Sequence, residues 1–150
     1  MGTLSENFNK KDFVCRCTHC KEAFRISLTL VGVLELIREH FKRRVTVVNG
    51  YRCAECNEEL GGIRKSYHAR GKAVDITVAD VPLEEVFLFA ETLPEVRGLG
   101  FYPLKKFVHL DVREPEYALK WVVEQGDHVE LTDEKRRQYN LLPKEGAEKG

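Results

Sequence analysis

The sequence has no excess of charge of either sign. Its 150 residues include 24 lysines and arginines and 24 aspartates and glutamates, so the formal net charge is zero. A chain without a net field does not attract polyanions or anionic lipid over long distances. We therefore expect neither nucleic acid nor a membrane as a partner.

The N-terminus also lacks the features of a targeting segment. Residues 1–8 do not show the basic start and apolar stretch of a signal peptide. No apolar run approaches the ~20 residues that a membrane-spanning helix requires. The expected location of the protein as synthesised is the cytoplasm.

Neither a repeat nor a domain boundary interrupts the chain. A length of 150 residues is typical of one domain, and 43% hydrophobic with 32% charged residues is a globular composition. The last residues are rich in Lys, Glu and Gly, a composition that does not support a packed core. We expect one domain over residues 1–142 and a disordered tail over 143–150.

Hydrophobic periodicity predicts both helices and strands. Ser27 is placed to cap a helix whose apolar residues recur at helical spacing up to Phe41. Apolar runs rich in β-branched residues predict strands at 45–48 and 73–78. The remaining expected elements are a helix over 82–93, strands over 99–102 and 107–112, a hairpin around Gly126 and Asp127, and a helix over 133–141.

Two short stretches carry residues of metal-binding type. Residues 66–75 place His68 before a glycine turn and Asp75 within an apolar strand, and His109 lies in a second apolar strand. Three ligands of mixed His and carboxylate type, with a fourth position left for water, are typical of a catalytic zinc site. The simpler alternative is that His68 is an ordinary loop residue and that Asp75 caps or pairs locally.

The five cysteines form a second pattern. Four of them fall in two Cys-x-x-Cys pairs, the spacing of a four-cysteine structural zinc site: Cys17, Cys20, Cys53 and Cys56. Such a site would attach the N-terminal arm to the turn after residue 52. Disulfides are the alternative, but they require an oxidising compartment. Whether Cys15 or His19 joins the site stays open.

The metal-binding stretch resembles a known family. His68, Gly71, Ala73 and Asp75 match the His-x-x-Gly-x-Ala-x-Asp signature of the zinc D-Ala-D-Ala carboxypeptidase family. The resemblance runs from about residue 4 to 121 and includes Val-Asn-Gly-Tyr-Arg at 48–52. This family shares its fold with vancomycin-resistance dipeptidases and the hedgehog signalling domain. The implied fold class is α+β, a single domain with a small, mainly antiparallel sheet and helices packed on one face.

The resemblance implies a zinc metallopeptidase with His68, Asp75 and His109 as ligands. The implied substrates are peptidoglycan peptides with D-amino acids, cut by a D,D-carboxypeptidase, a dipeptidase or a cell-wall endopeptidase. A phage lysis enzyme (endolysin), released to the cell wall during lysis, and a cytoplasmic dipeptidase both fit, and we expect a monomer. The alternative from another class is a non-catalytic zinc-containing binding module, because the hedgehog domain uses this fold for recognition.

Substrate-binding residues follow from the same resemblance. Arg52 resembles the family arginine that faces the substrate carboxylate, and a guanidinium fork suits bidentate carboxylate binding. Ser66 is expected to bind substrate or merely to close the turn. Tyr102 is expected to line the cleft or to lie in the core. Trp121 is expected in the core, and we assign no function to His128.

Asp111 is the predicted general base. Several relatives carry an acidic residue three positions before the last ligand, where this sequence has Lys106. Residues two apart on a strand share a face, so Asp111 would project beside His109. The alternative is that Asp111 only orients His109 through a hydrogen bond. In that case Glu114 or Glu116 is a candidate base.

Overall fold

A computed structural model describes residues 5–8, 10–13, 26–51, 67–68 and 70–142. Within these ranges the α-helices are Leu28–Phe41 (α1), Leu83–Glu91 (α2) and Asp133–Gln138 (α3). The strands are Val45–Asn49 (β1), Ala73–Val78 (β2), Gly98–Tyr102 (β3), Phe107–Asp111 (β4), Leu119–Glu124 (β5) and Asp127–Glu130 (β6). Short 3-10 helices lie at Lys10–Asp12 and Pro115–Tyr117. The predicted tail over 143–150 lies outside the described residues.

The six strands form one sheet in the order β1-β2-β4-β3-β5-β6. Neighbouring strands are antiparallel, except that β3 and β5 are parallel. Helices α1 and α2 pack against this sheet. The α+β class predicted from the sequence is therefore confirmed. Within the described ranges, no helix combines the length and the apolar character needed to cross a lipid bilayer.

Side chains alternate between the two faces of the sheet. One face forms the core under the helices, and its strand residues are apolar: Val45, Val47, Val74, Ile76, Val78, Leu99, Phe101, Val108, Leu110 and Val122. The other face, which we call the open face, carries the alternate positions of the same strands. On β2 and β4 these positions are Asp75, His109 and Asp111. The polar residues of the predicted site therefore share the face opposite the helices.

The helix predicted after Ser27 is confirmed as α1. Ser27 Oγ accepts a hydrogen bond from the Leu30 amide (3.3 Å), which caps the first turn. The Ser27 amide itself donates to the Gly71 carbonyl (2.7 Å). The start of α1 is therefore attached to the turn that precedes β2.

The predicted C-terminal hairpin is present, but its turn lies one residue earlier. Gln125 and Gly126 form the turn, with φ values of 51° and 89°. A two-residue type I′ turn requires positive φ at both central positions. Asp127 is consequently the first residue of β6 and not part of the turn.

The N-terminal arm contributes two core side chains next to the end of β1. Phe8 and Phe13 are buried with their rings 6.0 Å apart. The Phe13 carbonyl accepts a hydrogen bond from the Tyr51 amide (2.7 Å). A Cβ at Gly50 would lie 2.7 Å from the Phe13 backbone, so only glycine permits this approach. The contact positions the Gly50 carbonyl, which faces the turn that carries His68.

Candidate functional site

Strand pairing brings the three predicted ligands together. Asp75 of β2 lies opposite His109 of β4 in the antiparallel register. His68 lies on the turn before β2, where its carbonyl accepts a hydrogen bond from the Gly71 amide (3.2 Å). One ligand atom from each of His68, Asp75 and His109 lies within 4.8 Å of the others, and all three side chains are buried.

Hydrogen bonds hold the outer nitrogen of each imidazole and turn the other nitrogen toward Asp75. His68 Nδ1 donates to the Gly50 carbonyl (3.0 Å), and its Nε2 lies 3.4 Å from Asp75 Oδ2. His109 Nε2 lies 2.8 Å from Asp111 Oδ2, and its Nδ1 lies 3.0 Å from Asp75 Oδ1. Metal-binding histidines are oriented in this way, with the outer nitrogen bonded to a carbonyl or a carboxylate. Two imidazole nitrogens and one carboxylate fit a zinc ion with an open fourth position.

Asp75 is held in its ionised form. Burial raises its pKa, but hydrogen bonds with His109 and His68 outweigh burial and hold the pKa far below its usual range. Asn49 Nδ2 also donates to Asp75 Oδ2 (2.9 Å). The strand register is irregular between Val47 and Asn49, and this irregularity pairs Asn49 with Asp75. The side-chain amide of Asn49 on β1 therefore orients the predicted carboxylate ligand.

His109 lies between two carboxylates. Burial lowers its pKa, but hydrogen bonds with Asp111 and Asp75 outweigh burial and raise the pKa to about 9. Metal ligands must be deprotonated at the binding atom. A metal ion and a proton therefore compete for His109 Nδ1.

Asp111 lies at the edge of the His109 ring that faces away from Asp75. Its side chain is fully buried, and it accepts hydrogen bonds from Arg113 Nε and Nη2 at 2.7 Å each. Burial raises the pKa of Asp111, but hydrogen bonds with Arg113 and His109 lower it to about 2. Arg113 donates to both carboxylate oxygens, and Oδ2 also contacts His109 Nε2. This arrangement favours the orienting role of Asp111 over the role of general base.

Two glycines of β3 make room for this cluster. Gly98 lies opposite Asp111 in the register of β3 and β4, and a Cβ at Gly98 would lie 2.0 Å from Asp111 Oδ2. Gly100 lies opposite His109 and also pairs with Trp121 of β5. A Cβ at Gly100 would lie 2.6 Å from the Trp121 indole. Any side chain at either position would displace a residue that contacts His109.

Trp121 is buried, as the sequence suggested, but it is not part of the apolar core cluster. It lies on the open face with its ring centroid 5.1 Å from that of His109. The alternation of side chains along β5 is consistent with this placement, because the neighbouring Val122 is the β5 residue that joins the core. The indole covers one side of the predicted ligand.

Further aromatic groups continue from Trp121 along the open face. The Trp121 Nε1 donates to the Tyr102 hydroxyl (3.3 Å), and the Tyr102 ring stacks on Phe107 with centroids 4.6 Å apart. Tyr102 therefore lies next to the indole that contacts His109, and its role in lining a substrate cleft stays a prediction. His128 of β6, to which the sequence assigned no function, lies 5.8 Å from the Trp121 ring. Burial and the charge of His109 lower the pKa of His128.

The other predicted site residues are not brought into the cluster or lie outside the described ranges. Lys106 is exposed in the turn between β3 and β4. Glu114 pairs with Lys72 (2.9 Å) and Glu116 is exposed. Arg52, Ser66 and the cysteine positions are not among the described residues: Cys15, Cys17, Cys20, Cys53 and Cys56, with His19. Their roles stay predictions.

Comparison with known proteins identifies a family and similar proteins of known name. The sequence profile of the Peptidase M15 family matches residues 6–111. Over 72 residues the chain is 40% identical to the probable peptidoglycan L,D-endopeptidase MepK of Haemophilus influenzae, covering 45% of this chain and 38% of that protein. Over 75 residues it is 33% identical to the peptidoglycan L,D-endopeptidase MepK of Escherichia coli K12, covering 47% and 41%. The chain thus spans about two fifths of the length of these relatives.

Proposed function

Because the chain belongs to the peptidase M15 family, we propose that it is a zinc-dependent peptidase that cleaves peptidoglycan peptides containing D-amino acids. The observation that carries the proposal is the ligand geometry. Two buried imidazoles turn one nitrogen each toward Asp75, while hydrogen bonds to Gly50 and Asp111 hold their outer nitrogens. This is the donor set of a catalytic zinc site with an open position.

The relatives support endopeptidase cleavage over release of a terminal D-alanine. Both are named as peptidoglycan L,D-endopeptidases, one of them as a probable one. The two alignments cover 45% and 47% of this chain. We therefore propose that the bond cut joins an L- to a D-centre within the peptide. A D,D-carboxypeptidase or a dipeptidase is the alternative within the same chemistry.

The described residues of the cluster divide into metal ligands and residues that support them. His68, Asp75 and His109 hold the ion, and Asp111 holds the His109 ring. A bound zinc ion supplies Lewis-acid chemistry, because it lowers the pKa of water and polarises a carbonyl. Trp121 covers one side of His109 and limits access of water there. We further propose that the Arg52 guanidinium binds a substrate carboxylate.

We infer that proton transfer falls to a residue other than Asp111. A general base needs a free lone pair within hydrogen-bond reach of the proton that it abstracts. Both Asp111 oxygens instead accept hydrogen bonds within the Arg113 and His109 cluster. If no other residue supplies the base, the same observation supports a second candidate function, a binding module of this fold that holds zinc without hydrolysis.

One experiment separates these functions. Purified protein loaded with zinc is incubated with peptidoglycan and, separately, with D-Ala-D-Ala, and the products are identified by mass spectrometry. Fragments cut between an L- and a D-centre would support the endopeptidase, and free D-Ala would support the alternative specificity. No product from either substrate would favour the binding module.

A matched pair of variants assigns the activity to the site. His68→Ala removes a ligand and should abolish both metal binding at the site and cleavage. His40→Ala changes a histidine of α1 that stacks on Phe89 at 3.8 Å, apart from the site, and should keep both. Equal activity of the two variants would exclude the cluster as the catalytic centre.

We propose a second, structural zinc ion at the cysteine pairs. The support is the Cys-x-x-Cys spacing of Cys17 with Cys20 and of Cys53 with Cys56. Elemental analysis should find two zinc ions per chain, of which His68→Ala loses one. A single ion in the unmutated protein, with all cysteine thiols reactive, would exclude the second site.

A further inference from the structure

Arg113 lies just past the end of β4, two residues after Asp111, and its side chain binds Asp111 next to the proposed metal site. Its Nε and Nη2 donate to the two different oxygens of Asp111 at 2.7 Å each, and its backbone amide donates to Oδ1 (3.2 Å). Asp111 in turn contacts His109 Nε2 (2.8 Å). The guanidinium therefore fixes the carboxylate that fixes one ligand ring.

The same guanidinium also contacts the segment that carries the other imidazole. It lies over the Tyr67 ring at 4.3 Å from the centroid, and 5.5 Å from the Trp121 ring. Tyr67 directly precedes His68, and its carbonyl accepts hydrogen bonds from the amides of Arg70 (3.1 Å) and Lys72 (2.9 Å). Tyr67 is thus a fixed part of the turn that presents His68.

We propose that Arg113 is a positioning residue that sets the distance between the His68 and His109 nitrogens, and so the metal affinity of the site. The proposal rests on the proposed function for the identity of the ion, but not on hydrolysis. The two imidazoles come from a turn and a strand, and Arg113 contacts both elements through Asp111 and Tyr67. Misplacing either imidazole would weaken the donor set.

The planar fork is the property that this role requires. A guanidinium can donate to two carboxylate oxygens in its plane while its faces pack on aromatic rings. A lysine ammonium is a point charge that can do neither in the same way. Arg113→Lys therefore keeps the charge beside buried Asp111 but loses the geometry.

The chain offers a matched control in Arg136 of α3. Arg136 Nη1 donates to Glu91 Oε1 (3.2 Å) and Nη2 contacts Glu91 Oε2, so it also binds a carboxylate through two nitrogens. In the hydrogen bonds of the described residues, Glu91 has only Arg136 and Lys120 as side-chain partners. Arg136→Lys therefore reports on the loss of such a fork without any effect on a proposed metal ligand.

The test is a Co²⁺ titration followed by visible absorption. The signal of the proposed site is the part that Asp75→Ala lacks, which separates it from any cobalt bound by cysteines. Arg113→Lys should weaken this binding about tenfold or more, as loss of an outer-shell partner does. Arg136→Lys should leave it unchanged. Equal Co²⁺ affinity of Arg113→Lys and the unmutated protein, with both folded by circular dichroism, would overturn the proposal.

A second variant covers the case in which Arg113→Lys does not fold. Tyr67→Leu keeps the ion pair of Arg113 with Asp111 and removes the ring under the guanidinium, which Arg70 also faces at 5.1 Å. It should weaken Co²⁺ binding several-fold, and an unchanged affinity would refute the link to His68. If the unmutated protein binds Co²⁺ at the site but cuts no peptide, the proposed function fails while the role of Arg113 stands.

Discussion

Two clusters of carboxylates and cations lie in different parts of the fold. At the site, Asp75 and Asp111 flank His109, and Arg113 holds Asp111. At the periphery, Glu91 at the end of α2 accepts hydrogen bonds from Arg136 of α3 and from Lys120 of β5. Both clusters lower the pKa of their carboxyl groups.

The clusters differ in what their carboxylates face. Glu91 faces cations that stay charged at neutral pH, so its cluster can only join α2, α3 and β5. Asp75 faces two imidazole nitrogens, which can exchange a proton for a metal ion. Asp111 is also fully buried, whereas the Glu91 side chain keeps 14% of its exposure. A fully buried carboxylate beside imidazoles therefore indicates function, and a partly exposed one beside lysine and arginine indicates attachment of an element.

The largest effect is expected when a predicted ligand is removed from the cluster at the site. Asp75→Ala should weaken zinc binding at the site by more than ~100-fold, beyond the usual cost of an outer-shell change. Glu91→Ala should leave zinc binding unchanged and lower thermal stability. Competition with a chromophoric chelator measures both affinities, and tight zinc binding by Asp75→Ala would erase the difference between the clusters.

The next effect concerns the role of Asp111. Asp111→Asn should weaken zinc binding by about 10–100-fold, because the His109 ring loses its charged partner. Turnover at full zinc occupancy should fall by much less than the 10²–10⁴-fold, roughly, that removal of a general base costs. The control is Glu124→Gln, which removes a carboxylate that pairs with Lys135 (2.7 Å). A ~100-fold loss of turnover at unchanged zinc affinity would restore Asp111 as the base.

Two glycine substitutions test how closely the cluster at the site is packed. Gly98→Ala should lower stability by about 1–3 kcal/mol, as overpacking does, because its Cβ would lie 2.0 Å from Asp111 Oδ2. It should also weaken zinc binding. Gly32→Ala in α1 meets nothing within 4 Å and should raise stability by up to ~1 kcal/mol. Urea unfolding measures both, and a stable Gly98→Ala with full zinc affinity would contradict the close packing seen here.

The smallest effect is the pH dependence of the peripheral cluster. Burial raises the pKa of Glu91, but hydrogen bonds with Arg136 and Lys120 lower it from its ordinary value of 4.5. Its contribution to stability is therefore present above pH 4.5 and lost as the pH falls through the lowered pKa. Glu91→Gln should reduce stability by no more than about 1 kcal/mol at pH 7.

Unfolding of both proteins at pH 7 and at low pH tests this sign. The difference between them should shrink on acidification, and zinc should not change it. A difference that grows as the pH falls would show that the Glu91 pairs do not stabilise the fold.

The sequence by itself determined most of the elements and the choice of the three predicted ligands. Local signals specify α1, because the Ser27 cap and the apolar spacing act within one helix. The strand over 73–78 was predicted at its observed bounds, since its β-branched run lies within a few residues. His68, Asp75 and His109 follow from motifs of fixed spacing, and the sheet brings them together as the family resemblance implied.

Only the tertiary structure decided what surrounds those ligands. The placement of Trp121 against His109 depends on the parallel pairing of β3 with β5, strands about twenty residues apart in sequence. The position of Asp111 beside His109 depends on Arg113, which has no local pattern that distinguishes it from a surface arginine, and on the missing side chain at Gly98. These contacts arise from strand register and burial, which join residues across the chain, and a one-dimensional pattern contains neither.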